Sequence, residues 1–157
     1  MNAYRMKPLV FPWPPLIYGL AIAAAFLLQA SLPLTVAETH ALAARSVGIV
    51  LIAAAAVLDV WAMRTLLDCH TTILPNRCST HLVTSGPYRF TRNPIYLGYT
   101  LATAGLGLIM LNPWCLIVAI PAAAVTHLVA IRREELHLLS RFGIDFERYR
   151  HDTTCWI

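Results

Sequence analysis

Two stretches of the chain, 8–37 and 93–131, contain no Asp, Glu, Lys or Arg at all. The second is 39 residues long and mostly aliphatic, with polar side chains few and scattered. A soluble domain has no way to bury two such runs, because about a quarter of its residues are normally charged. Here the charged share is 13%, against 58% hydrophobic residues and a mean hydropathy of +0.62. The chain reads as an integral membrane protein. With 157 residues and no low-complexity linker or internal repeat, it reads as one membrane-embedded domain over 1–157.

A helix needs about 20 apolar residues to cross about 30 Å of hydrocarbon. The first candidate lies in "FPWPPLIYGLAIAAAFLLQASLPL", with the crossing near 15–32. The second is "SVGIVLIAAAAVLDVWAM", 46–63, which carries one acid, Asp59. The long run 93–131 would make a helix of about 58 Å, too long for one crossing. Asn112-Pro113 lies at its middle and is a turn signal, so the run divides into 94–111 and 114–131. The expected fold is therefore all-α, with about four transmembrane helices. Its last two crossings form a helical hairpin, followed by a cytosolic helical tail.

The loop charges orient it. With the N-terminus inside, Arg5, Lys7, Arg64, Arg77, Arg89, Arg92, Arg132, Arg133, Arg141, Arg148 and Arg150 fall on the cytosolic side, and Arg45 alone falls outside. Cytosolic segments are enriched in Lys and Arg, so both termini, the loop 64–93 and the tail 132–157 are expected in the cytosol. The net charge of +4 is then a mark of topology, and no nucleic-acid partner is expected. A cleaved signal peptide is the alternative for the first span, since "TVA" precedes Glu38. Pro12, Pro14 and Pro15 argue against it by interrupting the region where a signal would be helical. The short length fits a bacterial-type inner membrane.

Cys69, Cys78, Cys115 and Cys155 fit no disulfide framework and are read as reduced thiols. Cys69, His70, Cys78 and His81 include four zinc-ligand types, but adjacent Cys and His rarely share one ion and the spacing matches no standard site, so no metal is expected. Trp13, Trp61, Trp114 and Trp156 fall near span ends, as interface anchors do.

The chemistry gathers at "GPYRFTRNPIYLGY", Gly86 to Tyr99. Asn93-Pro94 is a helix start, with Asn expected to cap the first N–H groups and Pro favoured at the first helical position. That helix would present its positive dipole end at the cytosolic surface, flanked by Arg89 and Arg92, where an anion or carboxylate is stabilised. Gly98, Ala102 and Gly105 share a face that lets another helix approach closely. The fourth span leaves the membrane at "IRREELHLLSRFGIDFERY", so Glu134 and Glu135 emerge on the same side as Asn93. Acids for an ammonium and a helix end for a carboxylate make a site the size of a zwitterion. A capped, interface-anchored helix with a solvated charged surface is the plainer reading of the same residues.

Together, "HLVTSGPYRFTRNPIYLGY" and "EELHLLSRFGIDFERY" resemble the C-terminal half of the isoprenylcysteine carboxyl methyltransferase family, whose superfamily includes phospholipid N-methyltransferases. The resemblance runs from about Thr72 to the C-terminus. It implies S-adenosylmethionine as cofactor, held by His81, Leu82, Val83, Tyr88, Asn93, Pro94, Tyr96, Glu134 and Glu135. Arg92, Tyr96 and Glu134 would position the reaction. One position departs from the pattern: the usual His of the motif is Asn93, which hydrogen-bonds but cannot shuttle a proton at neutral pH.

The implied function is methyl transfer to an amphipathic acceptor reached from the bilayer: an isoprenylcysteine-like carboxylate or thiol, a lipid amine, or a small hydrophobic molecule. Membrane lipids are the other expected partners. Rival readings are an NADPH-dependent sterol-reductase-like enzyme, which would need more spans, and a non-catalytic membrane scaffold that retains the motif. Asp59 and His127 each lie about 7–8 Å inside the cytosolic boundary at helical rise. At equal depth an Asp59–His127 pair is one expectation, and intramembrane ionisable groups are functional candidates.

Overall fold

A computed structural model describes residues 13–69 and 82–157 of the chain, apart from the Glu38 side chain. Among these residues the regular structure is helical: α1 (Trp13–Ser31), α2 (Glu38–Asp68), a 3-10 turn (Gly86–Arg89), α3 (Pro94–Ile109), α4 (Pro113–Thr126), a π turn (His127–Ile131), α5 (Arg132–Phe142) and α6 (Ile144–Asp152). The fold class is the expected all-α one.

Three helical rods, 13–31, 39–68 and 113–142, are long and apolar enough to cross a membrane. Their outward faces are aliphatic: Leu20, Leu27, Val50 and Val57 are all more than 60% exposed. In water such faces would be a large cost, whereas hydrocarbon removes it. Beside these rods α3 is short: 16 residues, or about 24 Å.

The helix boundaries differ from the expectation in two places. The second crossing, expected over 46–63, is part of a 31-residue helix that begins before Arg45 and runs past Arg64. Charge bounds the membrane but not the helix, because Ala, Leu and Arg are all good helix formers. Similarly, the crossing expected to end at residue 131 continues through the π turn into α5. The hairpin turn itself falls where Asn112-Pro113 indicated. Asn112 Oδ1 accepts a hydrogen bond from the Trp114 amide (3.1 Å), and its Nδ2 donates to the Ala25 carbonyl (3.3 Å). Trp114 Nε1 donates to the Leu32 carbonyl (2.8 Å), so the tip is fastened to α1.

Central to the packing is α3, which meets α1, α2 and α4. Its small residues explain how it lies so close to α2. A Cβ at Gly48 would stand 2.6 Å from the Gly105 carbonyl oxygen, and one at Gly105 would stand 2.8 Å from the Gly48 carbonyl oxygen. The two backbones touch there. Two turns nearer the start of α3, Gly98 accommodates the Asp59 carboxylate, into which a Cβ would run at 2.0 Å. Without a hydrophobic drive between helices in lipid, such backbone proximity is what holds them together.

Gly48→Val is expected to force α2 and α3 apart and to cost about 1–3 kcal/mol of stability. Thermal unfolding in detergent micelles checks this. Gly19→Ala, at a position with open space around it, serves as the near-neutral control.

Candidate active site

The start of α3 is built by its neighbours in space more than by its neighbours in sequence. Gly86, at φ 60°, opens the 3-10 turn in the left-handed region, which favours glycine. It also lies against α2, since a Cβ there would stand 2.6 Å from Thr65 Oγ1. The turn delivers Tyr88 and Arg89. Thr91 then forms a single parallel bridge with Thr154 of the C-terminal segment.

That segment, which follows α6, runs alongside the motif and is bonded to it repeatedly. The Arg92 amide donates to the Thr154 carbonyl (3.0 Å), Thr91 Oγ1 to the Cys155 carbonyl (3.2 Å), and Thr154 Oγ1 to the Phe90 carbonyl (3.3 Å). From α6, Tyr149 Oη donates to the Tyr88 carbonyl (2.7 Å). Burial pushes the Tyr149 phenol above its ordinary value, with the Arg92 charge pulling the other way. It therefore keeps its donor proton throughout the neutral range.

Arg92 is the hub. Its Nε and Nη2 both donate to Glu135 Oε1, at 3.0 and 2.7 Å. Its Nη1 donates to the carbonyls of Arg150 (3.1 Å) and Thr153. The guanidinium is only 11% exposed and Glu135 22%. Sequence reasoning treated Arg92 as a ligand for an incoming anion. The structure instead commits its fork to Glu135 and the C-terminal carbonyls, because a buried guanidinium must satisfy all its donors.

Asn93 also departs from expectation. Its side chain makes no cap hydrogen bond to α3. Nδ2 instead donates to the Cys155 carbonyl at 2.9 Å, and its amide donates to Thr91 Oγ1 at 3.2 Å. The C-terminal segment competes successfully for the amide side chain, leaving the first N–H groups of α3 without their expected cap. Pro94 is fully buried at the first helical position.

Glu134 meets α3 through Tyr96, whose hydroxyl donates to Glu134 Oε1 at 2.7 Å. The Tyr88 phenol is pushed above its ordinary value chiefly by burial, with smaller upward contributions from Tyr149, Glu134 and Asp59. The structure therefore gathers Tyr88, Arg92, Asn93, Pro94, Tyr96, Glu134 and Glu135 at one place. Leu82 and the buried Val83 lead into the turn. His81 falls outside the described residues, as do His70 and Cys78 of the candidate zinc ligands.

The Asp59–His127 pair does not form. Asp59 faces Gly98, whereas His127, the first residue of the π turn, directs Nδ1 toward Cys155 Sγ at 3.6 Å. The two residues face different neighbours. Burial, reinforced by Glu135, pushes the Cys155 thiol up, so it is protonated at neutral pH. Cys155, Tyr149 and Thr153 are the structural residues that sequence reasoning missed. A short strand-like tail after a helix has no periodicity to betray what it pairs with.

Replacing Arg92 by Met should cost about 3 kcal/mol, because Glu135 would be left as an unpaired, partly buried charge. Arg92→Met combined with Glu135→Gln should recover much of that loss, and Arg92→Lys only a little of it, since an ammonium cannot fork. Unfolding midpoints in detergent for the four proteins measure the coupling.

The phospholipid methyltransferase family matches residues 43–145, which include α3, α4, the π turn, α5 and most of α2. Among curated proteins, the nickel-cobalt-cadmium resistance protein NccN of Alcaligenes xylosoxydans xylosoxydans is 35% identical over 80 residues. That match covers 51% of this chain and 37% of NccN, so the chain spans little more than a third of that relative's length. No solved structure matches the chain. On the family match, read with three helices able to cross a membrane and two motifs brought together at the start of α3, the chain belongs to the phospholipid methyltransferase family of membrane methyltransferases.

Proposed function

We propose that the chain is an S-adenosylmethionine-dependent methyltransferase whose cofactor site lies where α3 begins, at the cytosolic face, and whose acceptor is amphipathic and arrives from the bilayer. The observation that carries this reading is the Tyr96–Glu134 hydrogen bond beside the Arg92–Glu135 ion pair. Two segments about 40 residues apart would have no reason to meet so specifically if each were only a solvated helix end.

The residues suit an amino-acid zwitterion attached to a sulfonium. Glu134 spends one oxygen on Tyr96 and keeps the other for an ammonium. The uncapped first turn of α3 offers N–H groups and a positive dipole end to a carboxylate. Tyr88 and Tyr96 supply aromatic faces, which attract cations. When bound, the cofactor would supply an electrophilic methyl group and a neutral thioether leaving group. The protein's part is then alignment and the exclusion of water. Glu135 and Arg92 hold the motif and the C-terminal strand in register, and so position the site rather than touch the reacting atoms. The acceptor classes that fit are an isoprenylcysteine-like carboxylate or thiol, or a lipid amine.

Calorimetric titration of the detergent-purified protein with S-adenosylhomocysteine, with NADPH as control, tests the reading. Micromolar binding of the first alone is expected. Glu134→Gln should weaken it at least about tenfold, the loss of one charge-assisted hydrogen bond. Folded protein that binds neither ligand would overturn the proposal.

A further inference from the structure

Helix α1 lies outside the stretch that matches the methyltransferase family, which begins at residue 43. It is nonetheless bonded to the hairpin at both ends. Toward its far end, the carbonyls of Ala25 and Leu32 accept from Asn112 and Trp114 at the hairpin tip. Near its start, Tyr18 is 3% exposed, and its Oη lies 2.6 Å from Thr100 Oγ1 of α3. The contacts at the tip explain how α1 is fastened. The one at Tyr18 asks for a further reason, because phenylalanine would fill the same space without bringing a phenol that must find a partner.

Proton counting fixes the direction of the bond. Thr100 has one hydroxyl proton and donates it to the Tyr96 carbonyl at 3.0 Å. Tyr18 is therefore the donor to Thr100. The line of bonds runs from Tyr18 through Thr100 to the Tyr96 backbone, and Tyr96 Oη in turn donates to Glu134 Oε1 at 2.7 Å. The rings follow the same route: Tyr18 stands 5.7 Å from Tyr99, and Tyr99 6.5 Å from Tyr96, centroid to centroid. Thr100 lies about 9 Å along α3 from Pro94. The grip of α1 thus falls on the helical turn that carries Tyr96.

We infer that Tyr18 is a positioning residue of the methyltransferase site: through Thr100 and Tyr99 it fixes the turn of α3 that carries Tyr96, and with it the Glu134 carboxylate. This rests on the methyltransferase reading and adds α1 to its working parts. Tyr18 itself touches no reacting group. Where the protein's part is alignment, a displacement of about 1 Å is enough to matter. Interhelical hydrogen bonds in membranes contribute little stability on average. The Tyr18 hydroxyl should therefore be felt in ligand affinity more than in the unfolding midpoint.

The test titrates S-adenosylhomocysteine into the purified full chain in dodecyl maltoside, as wild type, Tyr18→Phe, Tyr96→Phe and the double variant. Tyr18→Phe should weaken binding about fivefold in the wild-type background and less than about twofold beside Tyr96→Phe. Its unfolding midpoint should stay within about 2 °C of wild type. Thr100→Val, which breaks the line at its middle, should reproduce the loss, whereas Thr100→Ser, which keeps the hydroxyl, should bind as the wild type does. If Tyr18→Phe fails to fold, the two Thr100 variants decide. An equal loss in both backgrounds, or none in either, overturns the inference.

A second measurement does not depend on the cofactor. In chain labelled with fluorotyrosine, the fluorine resonance of Tyr96 is identified by its loss in Tyr96→Phe. Tyr18→Phe should move that resonance in the direction in which Glu134→Gln moves it, and an unmoved resonance overturns the positioning role. Wild-type protein that binds no S-adenosylhomocysteine would sink the methyltransferase reading, and the fluorine shift would then judge the Tyr18 contact alone.

Discussion

Everything at the membrane surface depends on one guanidinium. Arg92 is the residue at which α3, α5, α6 and the C-terminal strand are tied together, through one carboxylate and two backbone carbonyls. A lysine would satisfy one of these partners at a time. The planar fork of arginine satisfies them together, and its charge is never lost by deprotonation. Because the cluster is largely withdrawn from water, its members are under-determined singly but not jointly. With Glu135 fixed, its neighbour Glu134 is also placed, and from there Tyr96 and the first turn of α3.

Packing inside the bilayer serves the same end by different means. Between α2 and α3 there is almost no side-chain volume at Gly48 and Gly105, so the two backbones approach until carbonyl and Cα meet, while Gly98 leaves room for the Asp59 side chain. The contact at Gly86 against Thr65 continues that line out of the membrane. The 3-10 turn and α3 are therefore held by one long partner, α2, and cannot slide relative to each other without α2 moving. Rigidity of this kind suits a site whose work is alignment.

Much of this was legible in the sequence, for physical reasons that can be named. The apolar helices followed from the absence of charge, and the hairpin tip followed from Asn112-Pro113. The meeting of Glu134 and Glu135 with the start of α3 followed because a hairpin returns to its own side of the bilayer. What could not be read was direction. Asp59 and His127 were paired on helical spacing alone, and spacing does not say which way a side chain faces. Asn93 has the chemistry of a cap, yet a competing carbonyl from 62 residues away claimed its amide. The extent of α2 was hidden because charges such as Arg45 and Arg64 end a membrane crossing without ending a helix. The pairing of the C-terminal segment was invisible because five residues of irregular chain, 153–157, carry no period.

The π turn at His127–Ile131 bears on how the two motifs keep step. An α-helix advances about 100° per residue, and a π turn accommodates one more residue than an α turn does. Everything downstream is therefore rotated relative to where a plain continuation of α4 would aim it. The face on which Glu134 and Glu135 look toward α3 is thus not set by the length of the fourth crossing alone. It is set by that length plus a single inserted phase step, placed between α4 and α5. The number of residues separating the two motifs is in that sense an angular coordinate rather than a distance.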